Sequence, residues 1–149
     1  MYHRILVPLD GSPTAEAGLR EAISLASALK AKVVLLHVID DFALMVEMAS
    51  VTSSETMRDA LRQYGQRALD KAQQAAADAG VMSETFVREV AQARVSEIIN
   101  HEAVTHRCDL VVMGTHGRRG FSRLTLGSNA EAVLRTSTIP VLLVRVGQA

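Results

Sequence analysis

Four short aliphatic runs recur along the chain with longer helical patterns between them: Ile5-Leu6-Val7, Val33 to Ile39, Leu110 to Met113 and Val141 to Val144. Each is continuous and rich in β-branched residues, the pattern of a strand buried on both faces. A weaker, alternating stretch around Thr85, Phe86 and Val87 reads as a fifth strand at an edge. Strands that alternate with helices imply right-handed crossovers, which put helices above and below a parallel sheet. The expected fold class is therefore α/β, a single-domain, open, five-stranded, mostly parallel sheet with helices on both faces, of Rossmann-like type. Such sheets bind ligands beyond the carboxyl ends of their strands.

The helical stretches carry their own punctuation. Leu19, Ala22, Ile23, Ala26 and Leu29 repeat at helical spacing between Ser12 and Lys30, with Ser12 as N-cap and Pro13 at the first helical position. Met57, Leu61, Tyr64, Ala68, Ala72, Ala75 and Ala79 form a second stripe, stopped by Gly80 in a left-handed conformation. Val95, Ile98, Ile99 and Ala103 form a third. Ser128 followed by Glu131 reads as a capping box just after Gly127, and Pro140 marks the start of the last strand. Asp40 to Thr56 breaks the rhythm: Phe42, Leu44, Met45, Val46 and Met48 precede a Ser/Thr-rich stretch, expected as a long loop or short helix that forms a lid or an adaptable partner surface.

Charge and composition narrow the function. Sixteen basic and sixteen acidic side chains cancel, so no global field draws the protein to nucleic acid or to an anionic membrane, and any anion must be held locally. The N-terminus lacks the long apolar centre of a signal peptide, and no apolar run nears the roughly 20 residues that span a bilayer. A single cysteine, Cys108, excludes an internal disulfide framework and reads as a packing residue. Residues 1–149 are expected as one nucleotide-binding domain in the cytoplasm. No His, Cys and Asp set has metal-ligand spacing.

The run from Val111 to Asn129, VVMGTHGRRGFSRLTLGSN, carries the chemistry. A strand leads in and a helix leads out. Glycines at 114 and 117 permit positive φ and let a bulky anion approach without meeting a Cβ. Gly127 and Ser128 bring unpaired amides of a helix N-terminus to the same region, a seat for phosphate. The run is neither a Walker A loop nor a Gly-x-Gly-x-x-Gly fingerprint, so P-loop NTPase chemistry is disfavoured.

The pattern Gly114-x2-Gly117-x9-Gly127-Ser128 resembles the ATP-binding signature of the universal stress proteins. The likeness runs from Ile5-Leu6-Val7-Pro8-Leu9-Asp10-Gly11-Ser12 to Pro140-Val141-Leu142-Leu143-Val144. The resemblance implies an adenine nucleotide alpha hydrolase-like sheet of strand order 3-2-1-4-5. It implies ATP, with Mg2+, as cofactor. Asp10 would contact the adenosine side with the Pro8 and Leu9 backbone nearby, and Val38 would line the adenine pocket. Met113 and Gly114 would run along ribose and base, while Gly117, Gly127, Ser128 and Asn129 would hold the phosphates. It also implies a homodimer paired through the last strand, serving as a nucleotide-dependent sensor or regulator in stress response with an unknown protein partner.

Blander roles compete for several of these residues. Asp10 also suits a helix cap at the first βα turn, and capping and ligand contact can coexist. Arg118, Arg119 and Arg123 read as solvated, His116 as a loop histidine that either titrates near neutrality or has no role, and His37 as a satisfied sheet residue. An enzymatic alternative is slow ATP hydrolysis, or phosphate transfer to Ser122, Thr125 or Ser128, but no residue stands out as a general base and no arginine finger is identifiable. A nucleotide-free dimeric interaction module is the other alternative, and the intact glycines argue against it. An adenine pocket with a phosphate turn serves ATP, AMP and cyclic nucleotides alike.

Overall fold

Side chains along β1, Arg4–Pro8, alternate between two covered faces: Ile5 and Val7 enter one apolar cluster and Leu6 the other. The computed structural model describes residues 1–40, 54–90, 92–116 and 126–146. Through them the chain runs β1, α1 (Pro13–Leu29), β2 (Lys32–Ile39), α2 (Ser54–Asp78), β3 (Ser83–Glu89), α3 (Val95–Thr105), β4 (Leu110–Gly114), α4 (Ser128–Thr136) and β5 (Val141–Val144). The strands make one five-stranded sheet in the order β3-β2-β1-β4-β5, the order expected, and every described pairing is parallel. Ile5 stands between Val33 and Leu110, which fixes the register of the three central strands.

The alternation decides which helix covers which face. Ile5, Val7, Val33, Leu35, Leu110 and Val112 pack under α1 and α2, against Leu19, Ala22, Leu69 and Ala72. Leu6, Val34, Leu36, Val111 and Met113 pack under α3 and α4, against Ile99, Ala103, Ala130 and Val133. The α1 helix starts where Ser12 Oγ accepts the Ala15 amide at 3.2 Å, with Pro13 next in line, and stops at Lys30 in the left-handed region. Gly80, at φ +71°, turns the chain out of α2 as its position in the sequence predicts. No described helix is long and apolar enough to cross a membrane.

Three expectations need correction. Val141 to Val144 is only partly buried, with Leu142 37% exposed, because β5 is an edge strand with a neighbour on one side alone. No capping box forms at Ser128: Gly127 is the N-cap, without a side-chain hydrogen bond, and Glu131 pairs instead with Arg135 at 2.8 Å. The last residues of the Asp40 to Thr56 segment, 54–56, open α2, while 41–53, with Leu44, Met45 and Met48, lie outside the described residues.

At the far end of α3 a polar cluster ties β3 to the helix. Glu102, nearly buried, accepts Arg88 Nε at 2.8 Å and bonds His106 Nε2 at 2.7 Å, and the His106 ring stacks on Phe86 at 3.9 Å. Arg4 reaches the same corner, donating to the His106 carbonyl at 2.7 Å and to Glu84 at 2.7 Å.

Cys108 is buried beside this corner, and burial pushes its thiol from an ordinary 9.0 up to about 11. The unfolded thiol ionises while the folded one stays protonated, so its linked contribution to stability is fully present below pH 9.0 and falls as pH rises toward about 11. Urea midpoints at pH 7 and pH 10 should show the wild type losing about 1 kcal/mol more than Cys108→Ala over that interval.

Candidate functional site

Strand order reverses between β1 and β4: the connection leaving β1 goes to α1 on one face, and the connection leaving β4 goes to α4 on the other. A crevice beyond the carboxyl ends of these two strands is where open α/β sheets bind ligands.

The β1 side is a tight turn. Pro8 pairs with Leu36 as the last residue of β1, and Leu9 continues the ladder with its amide on the Leu36 carbonyl at 2.8 Å. The Leu9 carbonyl bonds His37 Nδ1 at 2.8 Å, so His37 is the satisfied sheet residue expected. Gly11 has φ +82°, a conformation that favours glycine, and a Cβ there would crowd the Tyr64 hydroxyl. Asp10 Oδ1 accepts the Ser12 amide at 2.9 Å, and Tyr64 Oη donates to the Asp10 carbonyl at 3.4 Å. Asp10 thus closes the turn ahead of α1 and is not the helix cap considered from the sequence, because the N-cap is Ser12.

The β4 side is held by backbone bonds. The Thr115 amide donates to the Val144 carbonyl at 3.1 Å, and the Gly127 amide donates to the Thr115 carbonyl at 2.7 Å. Residues far apart in sequence thus meet, and the N-terminus of α4 stands beside the end of β4. The Glu131 amide closes the first helical bond on Gly127 at 2.9 Å, which leaves the amides of Ser128, Asn129 and Ala130 ahead of the helical ladder. Ser128 and Asn129 are exposed there.

Gly114 has a different reason for being glycine than the one expected. It is the last strand residue and its φ is not positive; a Cβ would fall 2.6 Å from the backbone carbon and oxygen of Thr14. A Cβ on Gly18, one turn along α1, would in turn lie 3.2 Å from the Gly114 nitrogen. The bare backbone at 114 makes room for α1.

Met113 is 7% exposed and packs with Val38 into the cluster under α3 and α4; Val38 stands opposite Arg88 on β2. Gly117 and the three loop arginines lie outside the described residues. The ends of β1 and β4 are joined by a residue the sequence did not flag: the Thr14 hydroxyl donates to the His116 carbonyl and lies 3.2 Å from Ser12 Oγ. His116 has Nδ1 on Thr115 Oγ1 at 2.9 Å, while Nε2 is buried without a hydrogen-bond partner among the described residues. Residues 117–125, which follow His116 directly, lie outside the described residues. Among the described residues no group of three His, Cys, Asp or Glu could hold a metal ion.

An all-parallel sheet with a helix N-terminus set beside a strand end at its switch point defines a Rossmann-like α/β domain. The sequence matches the Universal stress protein family over residues 1–145, and the chain belongs to that family. Universal stress protein MJ0531 of Methanocaldococcus jannaschii is 34% identical over 145 residues, 97% of this chain and 83% of that protein. The solved structure of MJ0577, from the same organism, superposes with a TM-score of 0.86 at 28% identity, covering 100% of this chain and 99% of the other. Two more distant structures share the fold: a universal stress protein in complex with cAMP (23% identity, TM-score 0.66, 97% of each chain) and one from Archaeoglobus fulgidus in complex with dAMP (22%, 0.67, 95% and 97%).

Gly114→Ala should destabilise the fold by about 2 kcal/mol, since the added carbon meets backbone rather than a movable side chain. Thermal melts measured without ligand would reveal this, and an unchanged melting temperature would remove the packing role assigned here.

Proposed function

We propose that the chain binds an adenine nucleotide, ATP with Mg2+, in the crevice beyond β1 and β4, and that bound nucleotide sets its activity as a dimeric sensor or regulator of stress response in the cytoplasm. The observation that carries this reading is the Thr115 to Gly127 bond, which brings the leading amides of α4 to the strand end that the glycine signature begins from. Those amides and the helix dipole suit phosphate oxygens. The buried His116 Nε2 suits a further polar contact to the ligand.

In this assignment Asp10, with the Pro8 and Leu9 backbone, faces the adenosine side, Val38, Met113 and Gly114 border base and ribose, and Gly117, Gly127, Ser128 and Asn129 hold phosphate. Mg2+ would ride on the phosphates, which supply the oxygen ligands it prefers. The complexes of fold relatives with cAMP and dAMP support an adenine ligand, and the glycine signature supports the triphosphate.

Titration calorimetry of nucleotide-stripped protein with Mg-ATP tests the site. One ATP per chain is expected, with binding lost in Gly117→Val and weakened about tenfold in His116→Ala, a cost of about 1.4 kcal/mol. Absence of heat with ATP, AMP and cAMP would overturn the reading, and equal affinity for ATP and AMP would restrict it to the nucleoside monophosphate.

The dimer is proposed to pair through β5, whose exposed Leu142 lies on an open sheet edge that self-pairing would cover. Sedimentation equilibrium at micromolar concentration should return twice the chain mass, and Leu142→Lys should return the monomer. A monomeric wild type would contradict the dimer.

A further inference from the structure

We propose that the groove between α1 and α2 is a second ligand site, which takes an amphipathic carboxylate of medium-chain fatty-acid size. The two helices cover the same face of the sheet, but their facing side chains are short: Ala15 on α1, and Ala68, Ala72 and Ala75 on α2. Short side chains cannot fill the space between two helix backbones, and a groove of about 420 Å³ remains, floored by Leu9 and Leu19. That volume falls in the range of small-molecule sites, about 300 to 1,000 Å³.

Charge on the rim selects the head group. Arg20 stands on the α1 side, and Arg67 and Lys71, one turn apart, on the α2 side; Glu16 is the only carboxylate among the described lining residues. Lys71 meets Glu16 at 3.5 Å, with both side chains well exposed, a weak pair. Arg20 and Arg67 have no ion-pair partner among the described residues. Like charges on two helices that flank an apolar groove raise the local positive potential, and an anion between them lowers it. This excess is local, because the whole chain carries equal numbers of acidic and basic side chains. A carboxylate matches the guanidinium fork, and an alkyl body matches the alanine walls.

At its upper end the groove touches Gly11 and Tyr64, on the α1 and α2 side of the turn that carries Asp10. The groove meets the proposed nucleotide site at the Leu9 turn, whereas His116 and the start of α4 belong to the strand ends alone, so variants at the β4 side separate the two sites.

Calorimetric titration with sodium dodecanoate below its micelle concentration tests the proposal on the full chain. One dodecanoate per chain is expected, with dodecyltrimethylammonium silent. Ala75→Trp adds bulk at an exposed rim position and should abolish the signal, while the double variant Arg20→Glu with Arg67→Glu should weaken it at least tenfold; far-UV circular dichroism should match wild type for both. Gly117→Val should bind dodecanoate as the wild type does, which keeps this result independent of the nucleotide reading. No dodecanoate binding, equal binding of the cationic detergent, or binding unchanged in both groove variants would each overturn the proposal. So would a loss of self-association in Ala75→Trp together with dodecanoate silent on the wild type, which would assign the groove to a second copy of the chain.

Discussion

Helix α1 lies on β4 at backbone contact distance, and the positions that allow it are Gly18 and Gly114. Packed layers normally meet through side chains, as in stacked sheets about 10 Å apart. Removing both Cβ atoms lets the first turn of α1 drop onto the end of the strand. Thr14 then reaches the His116 carbonyl, and the β1 turn and the exit of β4 become one structural unit. The close approach of α1 and the Thr14 bond thus tie together the two strand ends that border the switch point.

A second layer of constraint comes from backbone polarity. The exit of β4 is anchored twice at Thr115, by its amide on Val144 and its carbonyl on Gly127. Buried backbone groups need partners, and these two bonds satisfy Thr115 while fixing where α4 begins. The helix N-terminus is thus positioned by the same ladder that holds β5 in the sheet.

The fold was legible because the three central strands are buried on both faces and the helices on one. Continuous runs such as Val33 to Ile39 and stripes such as Leu19, Ala22 and Ala26 leave few alternatives once crossovers are required to be right-handed, although on α2 the buried face is Leu69, Ala72 and Ala76, and Ala75 and Ala79 of the expected stripe are exposed. Strand order and family followed from the glycine spacing, which only resemblance could interpret. The purpose of particular glycines was less legible. Gly114 reads locally as a turn residue, yet its neighbour is Thr14, a hundred positions earlier in the chain. Ser128 reads as a cap, but the helix begins one residue sooner because Gly127 is held by Thr115. Thr14 carries no motif at all, and its role exists only once α1 and β4 are in contact. Pairings across the fold leave no periodic trace in sequence, so site details of this kind stay hidden where the architecture does not.

The two edges of the sheet are not equivalent. The β3 edge presents Glu84, Arg88 and Glu89, each engaged in an ion pair with Arg4, Glu102 and Arg62 respectively. The β5 edge presents Val141 to Val144, aliphatic throughout. Charged, pre-engaged side chains make an edge a poor template for another strand, while aliphatic ones leave it receptive. The sheet is therefore asymmetric at its borders: one edge is blunted by charge, and the other offers an aliphatic strand whose backbone groups have a neighbour on one side alone.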